Sequence, residues 1–291
     1  MAERLDVPVA GGELAVYRFA GAPDAPTALT IHGITSSSHT WVAVARALGG
    51  RATLAAVDLR GRGRSNQLPE PFGLPAHVAD MASVLDALGL ERALIVGHSL
   101  GAYIAAALAV EHPERVAGLI LVDGALPIPG ARDAPPGPFL EAFLGAALSR
   151  LSLVFADRPA YRDWWSQHPA ISGADIEPDD LAAYADHDLI GPEGEMRSAV
   201  NPDSVAADGR DVLEASAADA LAVPAVLLCA PRGLANEPNP MQPLPLVRRW
   251  ADADPDRRRG LQVADTNHYS IVLGRRGAAA VAAEIVDQSQ T

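Results

Sequence analysis

The sequence predicts an α/β fold in which a mainly parallel sheet of eight strands is covered by helices on both faces. Two features of the chain lead to this prediction. Short apolar runs typical of buried strands alternate with longer stretches whose apolar residues recur at helical spacing. Residues 127–215 interrupt this alternation with helical patterning alone. We therefore expect a core formed by residues 1–126 and 216–291, with residues 127–215 inserted as a helical cap.

The core elements follow in order along the chain. Gly11 and Gly12 separate two alternating segments, residues 5–9 and 13–19, which predict an antiparallel hairpin. Further strands are predicted at residues 27–31, 53–57, 93–96, 116–122, 223–230 and 260–263. Helices are predicted at residues 40–48, 75–88, 100–110, 244–253 and 274–288. This alternation of short strands with helices indicates a parallel sheet that is covered on both faces.

Residues 127–215 differ from the rest of the chain in composition. Five prolines between residues 127 and 138 break any regular element and mark the entry to the insertion. The segment then shows helical patterning and contains half of the chain's Phe, Tyr and Trp residues. Some of these rings are needed for the small core of the cap itself. Others are expected to line an enclosed apolar pocket, with Trp164, Trp165 and Phe143 as the first candidates.

The bulk composition disfavours several classes of partner and chemistry. A net charge of -13 makes nucleic acid and anionic membrane surfaces poor partners. The chain contains no Lys, which excludes Schiff-base chemistry through a lysine. No cluster of His, Asp, Glu or Cys has the spacing of metal ligands, so neither a metal nor another cofactor is expected.

Cys229 is the single cysteine and lies within an apolar run. A lone thiol cannot form an internal disulfide, and at this position we expect it to fill the core. The N-terminal residues lack the apolar segment of a secretory signal, and no apolar run reaches membrane-spanning length. These features lead us to expect a cytoplasmic protein.

The most informative motif is Gly97-His98-Ser99-Leu100-Gly101, which has the form G-x-S-x-G. It lies between a predicted buried strand and a predicted helix, the context of a nucleophile elbow. Glycines on either side of Ser99 leave room for a strand that turns at once into a helix. The turn exposes the serine hydroxyl and places the backbone N–H of Leu100 at a helix N-terminus, where it can donate to an oxyanion.

A serine hydroxyl needs a neighbouring base to become an effective nucleophile. Among the eight histidines, His268 follows the last short strand and precedes the final helix. Loops at the carboxyl edge of a parallel sheet are where active-site groups gather, so His268 is the predicted base. His98 adjoins Ser99, but successive side chains diverge, and we expect it to pack at the strand end beside the substrate.

These motifs resemble those of α/β-hydrolases in the branch of esterases, epoxide hydrolases and haloalkane dehalogenases. The resemblance covers nearly the whole core and rests on the His32-Gly33 loop, the segment Asp58-x-Arg60-Gly61-x-Gly63-x-Ser65, the elbow and the late histidine. It implies a helical cap after the sixth strand and a second oxyanion donor, the backbone N–H of Ile34. Dehalogenases and soluble epoxide hydrolases carry Asp at the elbow, so Ser99 disfavours both of those activities.

The acid that would orient His268 is where the chain departs from the usual pattern of that family. Such enzymes usually carry an Asp after the seventh strand, but residues 231–251 contain no Asp and offer only Glu237. Asp123, at the end of the sixth strand, resembles the position used by some dehalogenases and lactone hydrolases. A short side chain on a strand end is held more rigidly than one on a proline-rich loop, so we favour Asp123. Glu237 is the alternative.

The sequence therefore predicts a serine hydrolase that cleaves a hydrophobic ester, lactone or thioester through an acyl-enzyme on Ser99. The same triad could serve carbon–carbon bond hydrolysis or a cofactor-free lyase reaction, because fold and triad do not fix the reaction. A protein that uses the pocket only for binding is a further alternative. The expected partner is a small hydrophobic ester-type substrate, and the chain is expected to be a monomer or a dimer.

Overall fold

A mixed sheet of eight strands forms the centre of the computed structural model, which describes residues 2–131 and 135–289. The strands of the chain are β1 (Glu3–Val9), β2 (Gly12–Phe19), β3 (Thr27–Ile31), β4 (Thr53–Val57), β5 (Ala93–His98), β6 (Val116–Val122), β7 (Leu189–Ile190), β8 (Arg197–Ser198), β9 (Ala225–Cys229) and β10 (Arg258–Gln262). The large sheet has the order β1-β2-β4-β3-β5-β6-β9-β10. Only the pairs β1–β2 and β2–β4 in it are antiparallel. This confirms the predicted eight-stranded, mainly parallel sheet.

Helices cover both faces of the sheet. They are α1 (Val42–Leu48), α2 (Leu74–Ala87), α3 (Leu100–Glu111), α4 (Pro136–Leu151), α5 (Arg158–Ser166), α6 (Pro178–Asp188), α7 (Pro202–Glu214), α8 (Leu244–Asp252), α9 (Ser270–Leu273) and α10 (Arg275–Gln288). Side chains of α2, α3 and α8 pack in one apolar layer, and those of α1, α9 and α10 pack in the other. In the described parts of the chain, no helix is long and apolar enough to cross a membrane.

Burial on both faces explains why the central strands are continuous apolar runs. Every residue of β4 and of β5 is buried. Successive side chains of a strand point to opposite faces, and here Ile95 enters one apolar layer while Leu94 and Val96 enter the other. A polar side chain at Leu94, Ile95 or Val96 would face apolar neighbours without a partner.

The strand order creates a crevice beside β3. After β3 the chain adds β4 on one side, and it then crosses to place β5 on the other side of β3. Loops that leave two such neighbouring strands in opposite directions open a crevice at the carboxyl ends of the strands, where ligands commonly bind. Ser99 follows β5 and the His32-Gly33 loop follows β3, so both border this crevice.

The residues between β6 and β9, here called the β6–β9 segment, contain α4 to α7. The segment also contains the antiparallel pair β7–β8, and a bridge between Phe155 and Met196 adjoins it. The expectation of a segment without strands was therefore wrong. Each of these strands has two residues, which is too short for an alternating apolar pattern to be visible in the sequence.

His32 links the loops that follow β3 and β4. Its Nδ1 lies 2.7 Å from the carbonyl oxygen of Gly33, and the backbone N–H of Leu59 donates to its Nε2 at 3.0 Å. Because Nε2 accepts a hydrogen bond, the proton of the neutral ring is on Nδ1. Complete burial lowers the pKa of His32 to about 4, although the charge of Asp58 acts in the opposite direction. The structure thus requires an uncharged imidazole at this position.

A buried ion pair fixes the loop after β4 to α2. The guanidinium of Arg60 donates to both carboxylate oxygens of Asp80 at 2.7 Å, and the two side chains are 1% and 3% exposed. Arg60 also donates to the carbonyl oxygens of Pro69 and Ala10. One side chain therefore connects α2, the loop before it and the turn between β1 and β2.

Asp80→Asn should destabilise the protein strongly, because it leaves the buried guanidinium of Arg60 without its counter-charge. We expect a loss of about 3–5 kcal/mol in the free energy of unfolding, measured by urea denaturation. Asp86→Asn is the matched control, since Asp86 pairs with Arg115 while 69% exposed. Its expected loss is no more than about 1 kcal/mol. Similar small losses for both variants would show that the Arg60 pair is not a buried interaction in solution.

The neutral state of His32 gives a defined pH dependence of stability. Between pH 6.5 and about 4, the unfolded chain binds a proton on His32 that the folded chain does not bind. Stability should therefore fall as the pH falls through this window, with a contribution from His32 of up to about 1.4 kcal/mol per pH unit. His32→Gln should reduce this slope, as measured by urea unfolding at several pH values. An unchanged slope would contradict the burial of an uncharged ring.

Candidate active site

Ser99 occupies the sharp turn between β5 and α3. Its backbone has φ 54° and ψ −120°, a conformation that side-chain-bearing residues rarely adopt. The turn requires glycine on both sides. A Cβ at Gly97 would lie 2.1 Å from the carbonyl oxygen of Gly101, and a Cβ at Gly101 would lie 2.1 Å from that of Ile31. The strained turn presents the Ser99 side chain to an internal cavity.

The loop after β10 brings His268 to the end of β6. Nδ1 of His268 lies 2.7 Å from Oδ2 of Asp123, and the aspartate side chain is fully buried. The other carboxylate oxygen of Asp123 accepts a hydrogen bond from the backbone N–H of Ala230 at the end of β9. His268 lines the same cavity as Ser99. Its Nδ1 is engaged by Asp123, so Nε2 is the ring nitrogen left for exchange of a proton with a group in that cavity.

Glu237, the alternative acid, is placed differently. Its Oε2 accepts a hydrogen bond from the backbone N–H of Ala235 at 2.7 Å. Its Oε1 occupies the space beside Gly233, where a Cβ would lie 1.9 Å from that oxygen. The side chain therefore stabilises its own loop. Of the two candidate acids, the structure brings Asp123 to the imidazole of His268.

His98 contacts His268. Its Nε2–H donates to the backbone carbonyl of His268 at 2.9 Å, and the two rings are 4.7 Å apart between centroids. Burial lowers the pKa of His98 well below its usual value, and the nearby His268 lowers it further. The ring is therefore neutral and fixes the backbone that carries the candidate base. His98 also lines the cavity, as expected of a residue beside the substrate.

Two backbone N–H groups border the Ser99 hydroxyl. Leu100 is the first residue of α3, so its N–H has no partner within the helix. Ile34 follows Gly33, and a Cβ at Gly33 would lie 3.2 Å from Cβ and 3.6 Å from Oγ of Ser99. Among the described residues, no acceptor bonds the N–H of Ile34. Both donors expected from the sequence therefore border the space around the serine.

The cavity is mainly apolar. Its aliphatic and methionine lining consists of Ile34, Leu100, Ile128, Leu140, Leu144, Ala147, Val212, Leu234 and Met241. Hydroxyl-bearing side chains also contribute, namely Thr35, Ser36, Thr40, Tyr103 and Tyr269 together with Ser99. Within the described part of the lining, no side chain is an acid, an arginine or a lysine. The site is therefore suited to an uncharged, apolar guest.

The two tryptophans expected to line this cavity lie elsewhere. Trp165 is buried against Tyr184 and the guanidinium of Arg150, and Trp164 packs on Tyr161. Neither tryptophan is among the described lining residues, so this expectation was wrong. Large rings fill the core of the β6–β9 segment, whereas aliphatic side chains of α4 reach the cavity. Phe143 belongs to α4, but its side chain lies outside the described part of the structure.

The remaining groups with reactive potential do not form a second centre. Cys229 is buried in β9, and burial raises the pKa of its thiol to about 12. Such a thiol stays protonated at neutral pH. In residues 2–131 and 135–289, no three His, Cys, Asp or Glu side chains are grouped so that they could hold a metal ion.

Sequence comparisons point to a known family. A family profile described as alpha/beta hydrolase fold matches residues 26–160, which include Ser99 and Asp123. An uncharacterised protein of Mycobacterium tuberculosis is 41% identical over 106 residues, which cover 36% of this chain and 30% of that protein. Lipase LipV of the same species is 38% identical over 121 residues, covering 41% of this chain and 45% of LipV. The chain thus spans less than half the length of these curated relatives.

Comparison with solved structures extends over the whole chain. The crystal structure of E-2-(acetamidomethylene)succinate hydrolase superposes with a TM-score of 0.78, covering 99% of this chain and 100% of that one. The sequence identity is 22%, so this likeness concerns the fold alone. The chain therefore has the α/β-hydrolase fold.

Proposed function

We propose that this protein is a serine hydrolase that cleaves an uncharged apolar ester, lactone or thioester. The observation that carries the proposal is the 2.7 Å hydrogen bond between Asp123 and His268, at a cavity that Ser99 also lines. An imidazole held in this way exposes an unprotonated nitrogen to the cavity, which is what activation of a serine hydroxyl requires. The relative named as a lipase is consistent with this reaction class.

In the proposed mechanism, Oγ of Ser99 attacks the carbonyl carbon of the substrate while Nε2 of His268 takes the hydroxyl proton. Asp123 stabilises the resulting imidazolium. The N–H groups of Leu100 and Ile34 hold the negative oxygen of the tetrahedral intermediate, and each such donor typically contributes about 3–4 kcal/mol. His268 returns the proton to the leaving alcohol or thiol, and the acyl group stays on Ser99. Water then attacks the acyl-enzyme, with His268 again as the base, and releases a carboxylic acid.

The chemistry of the cavity supports an apolar substrate. Leu140, Leu144 and Ala147 project from α4, and Val212 projects from α7, so the β6–β9 segment supplies much of the lining. We propose that residues 127–215 serve as a cap over Ser99. The succinate named for the structural neighbour is a dicarboxylate, whereas the described lining here carries no cationic side chain. The proposed substrate therefore lacks a carboxylate near the reacting carbonyl.

A fluorophosphonate probe should label the wild-type protein on Ser99, because attack by Oγ expels fluoride and leaves a stable phosphonyl ester. Ser99→Ala should abolish labelling, and His268→Ala should slow it by at least about 100-fold, since general-base assistance contributes a factor of that order. His112→Ala is the control, because His112 lies on the surface at the end of α3 and should leave labelling unchanged. The readout is the intact mass together with the mass of the modified peptide.

An unlabelled wild-type protein would favour a role in binding alone. Labelling without turnover of any ester, lactone or thioester would favour carbon–carbon bond cleavage or a lyase reaction by the same residues. A panel of p-nitrophenyl esters, lactones and β-diketones, with product identification, separates these outcomes.

Asp123→Asn should lower turnover far more than Glu237→Gln does. The amide cannot stabilise the imidazolium and favours the wrong tautomer of His268, which costs about three to four orders of magnitude in kcat. Glu237 bonds within its own loop, so we expect its substitution to change kcat by no more than about 3-fold, the effect of a surface loop without contact to the base. Steady-state kinetics with one activated ester measures both effects. The reverse ranking would assign the acid to the loop after β9.

A further inference from the structure

The loop that carries the Ile34 N–H, residues 33–36, has three successive carbonyl groups held by hydrogen bonds. The carbonyl of Gly33 accepts from Nδ1–H of His32 and from the backbone N–H of Ser36. The carbonyl of Ile34 accepts from Nε–H of Arg62 at 3.0 Å, and that of Thr35 accepts from Nη2–H of Arg150 at 2.6 Å. Peptide groups are planar, so the Gly33 carbonyl sets the direction of the Ile34 N–H, and the carbonyls of Ile34 and Thr35 set those of the Thr35 and Ser36 N–H groups. The Ser36 N–H in turn donates to the Gly33 carbonyl, so holding the next two carbonyls also holds the turn that carries the Ile34 N–H.

Arg62 reaches this loop from the segment after β4. Neither its side chain nor that of Asp208 on α7 is exposed, and Nη1 of Arg62 lies 2.6 Å from Oδ2 of Asp208. Asp208 also accepts hydrogen bonds from the backbone N–H of Gly73 and from His77. Burial opposes ionisation of Asp208, but Arg62 and then His77 more than offset it and hold the carboxyl pKa below its usual value. Asp208 is therefore a charged anchor that orients Arg62.

Arg150 reaches the same loop from α4. Its guanidinium is buried, lies over the ring of Trp165, and contacts the carboxylate of Asp188 at the end of α6. The hydroxyl of Tyr161 bonds both the arginine and this aspartate. Arg150 thus has the same arrangement as Arg62, with an aspartate of the β6–β9 segment on one side and a loop carbonyl on the other.

We propose that Arg62 and Arg150 are positioning residues for the oxyanion donor at Ile34, and that Asp208 and Asp188 hold them in place. The inference rests on the proposed function, in which this N–H binds the oxyanion. Neither arginine lines the cavity, so each acts through the backbone of the loop. Buried ion pairs add little net stability compared with apolar residues of similar volume. Their placement on consecutive carbonyls beside Ser99 is better explained by geometry than by stability.

The chain contains a matched control for this proposal. Arg60 and Asp80 form an equally buried pair two residues before Arg62, but Arg60 donates to the carbonyls of Ala10 and Pro69. It makes no hydrogen bond to residues 33–36 in the described structure. Asp80→Asn therefore removes a buried counter-charge without releasing the loop.

The test compares Asp188→Asn, Asp208→Asn and Asp80→Asn, each assayed where all three remain folded. With p-nitrophenyl butyrate, the first two variants should lose about 10- to 100-fold in kcat, a part of what deletion of an oxyanion donor costs. Their KM should change by less than about 2-fold, because the loop fixes a contact made in the transition state. Inhibition by an alkylboronic acid, a tetrahedral mimic, should weaken in parallel. Asp80→Asn should retain kcat within about 2-fold of the wild type.

Amide hydrogen exchange gives a readout that does not depend on activity. Exchange of the peptide containing residues 33–36 should accelerate in Asp188→Asn and Asp208→Asn but not in Asp80→Asn. Tyr161→Phe, a milder change in the Arg150 network, should shift kcat and exchange in the same direction by a smaller factor. Equal losses of kcat in all three Asn variants, or unchanged exchange in this peptide, would overturn the proposal. A wild type without esterase activity would refute the proposed function, and exchange would still decide whether the arginines hold the loop.

Discussion

The hydrogen bond between the buried carboxylate of Asp123 and Nδ1 of His268 is the interaction on which the site depends. It joins the end of β6 to the loop after β10, two strands apart in the sheet, and the N–H of Ala230 from the intervening strand holds the same carboxylate. A shift of register in any of these strands would separate the groups. The continuous apolar strands that fix the register are therefore part of the chemistry as well as of the core.

Charged side chains buried between the core and the β6–β9 segment form a second level of organisation. Asp208 of α7 bonds Arg62, and His187 of α6 bonds Asp58 at the end of β4. Burial opposes ionisation of Asp58. Hydrogen bonds from His187 and from the backbone N–H of Arg64 more than offset this effect, so the pKa of the Asp58 carboxyl is lowered. Each contact brings a charged group of the core against a polar group of the segment. The position of the segment against the core is thus determined by directional polar contacts in addition to apolar packing.

Sequence patterns predicted the sheet and the elbow because both depend on local spacing. The sequence favoured Asp123 over Glu237 as the acid but could not exclude Glu237. The path of the proline-rich loop that carries Glu237 cannot be deduced from the spacing of apolar residues. Trp164 was wrongly predicted to line the cavity, because the number of aromatic residues in a segment does not reveal which way each ring points. The roles of Arg62 and Arg150 were missed, although an arginine within the apolar helical stretch of residues 139–154 is a signal that it has a buried partner.

Nitrogen-15 NMR of histidine-labelled protein at neutral pH tests the central arrangement most directly. The His268 resonances, assigned with a His268 variant, report which ring nitrogen carries the proton. We expect a neutral ring with the proton on Nδ1, bonded to Asp123, and with Nε2 unprotonated. Asp123→Asn should shift this population toward the other tautomer. A wild-type His268 protonated on Nε2 alone would contradict this arrangement, because its free nitrogen would then face the aspartate and could not accept the serine proton.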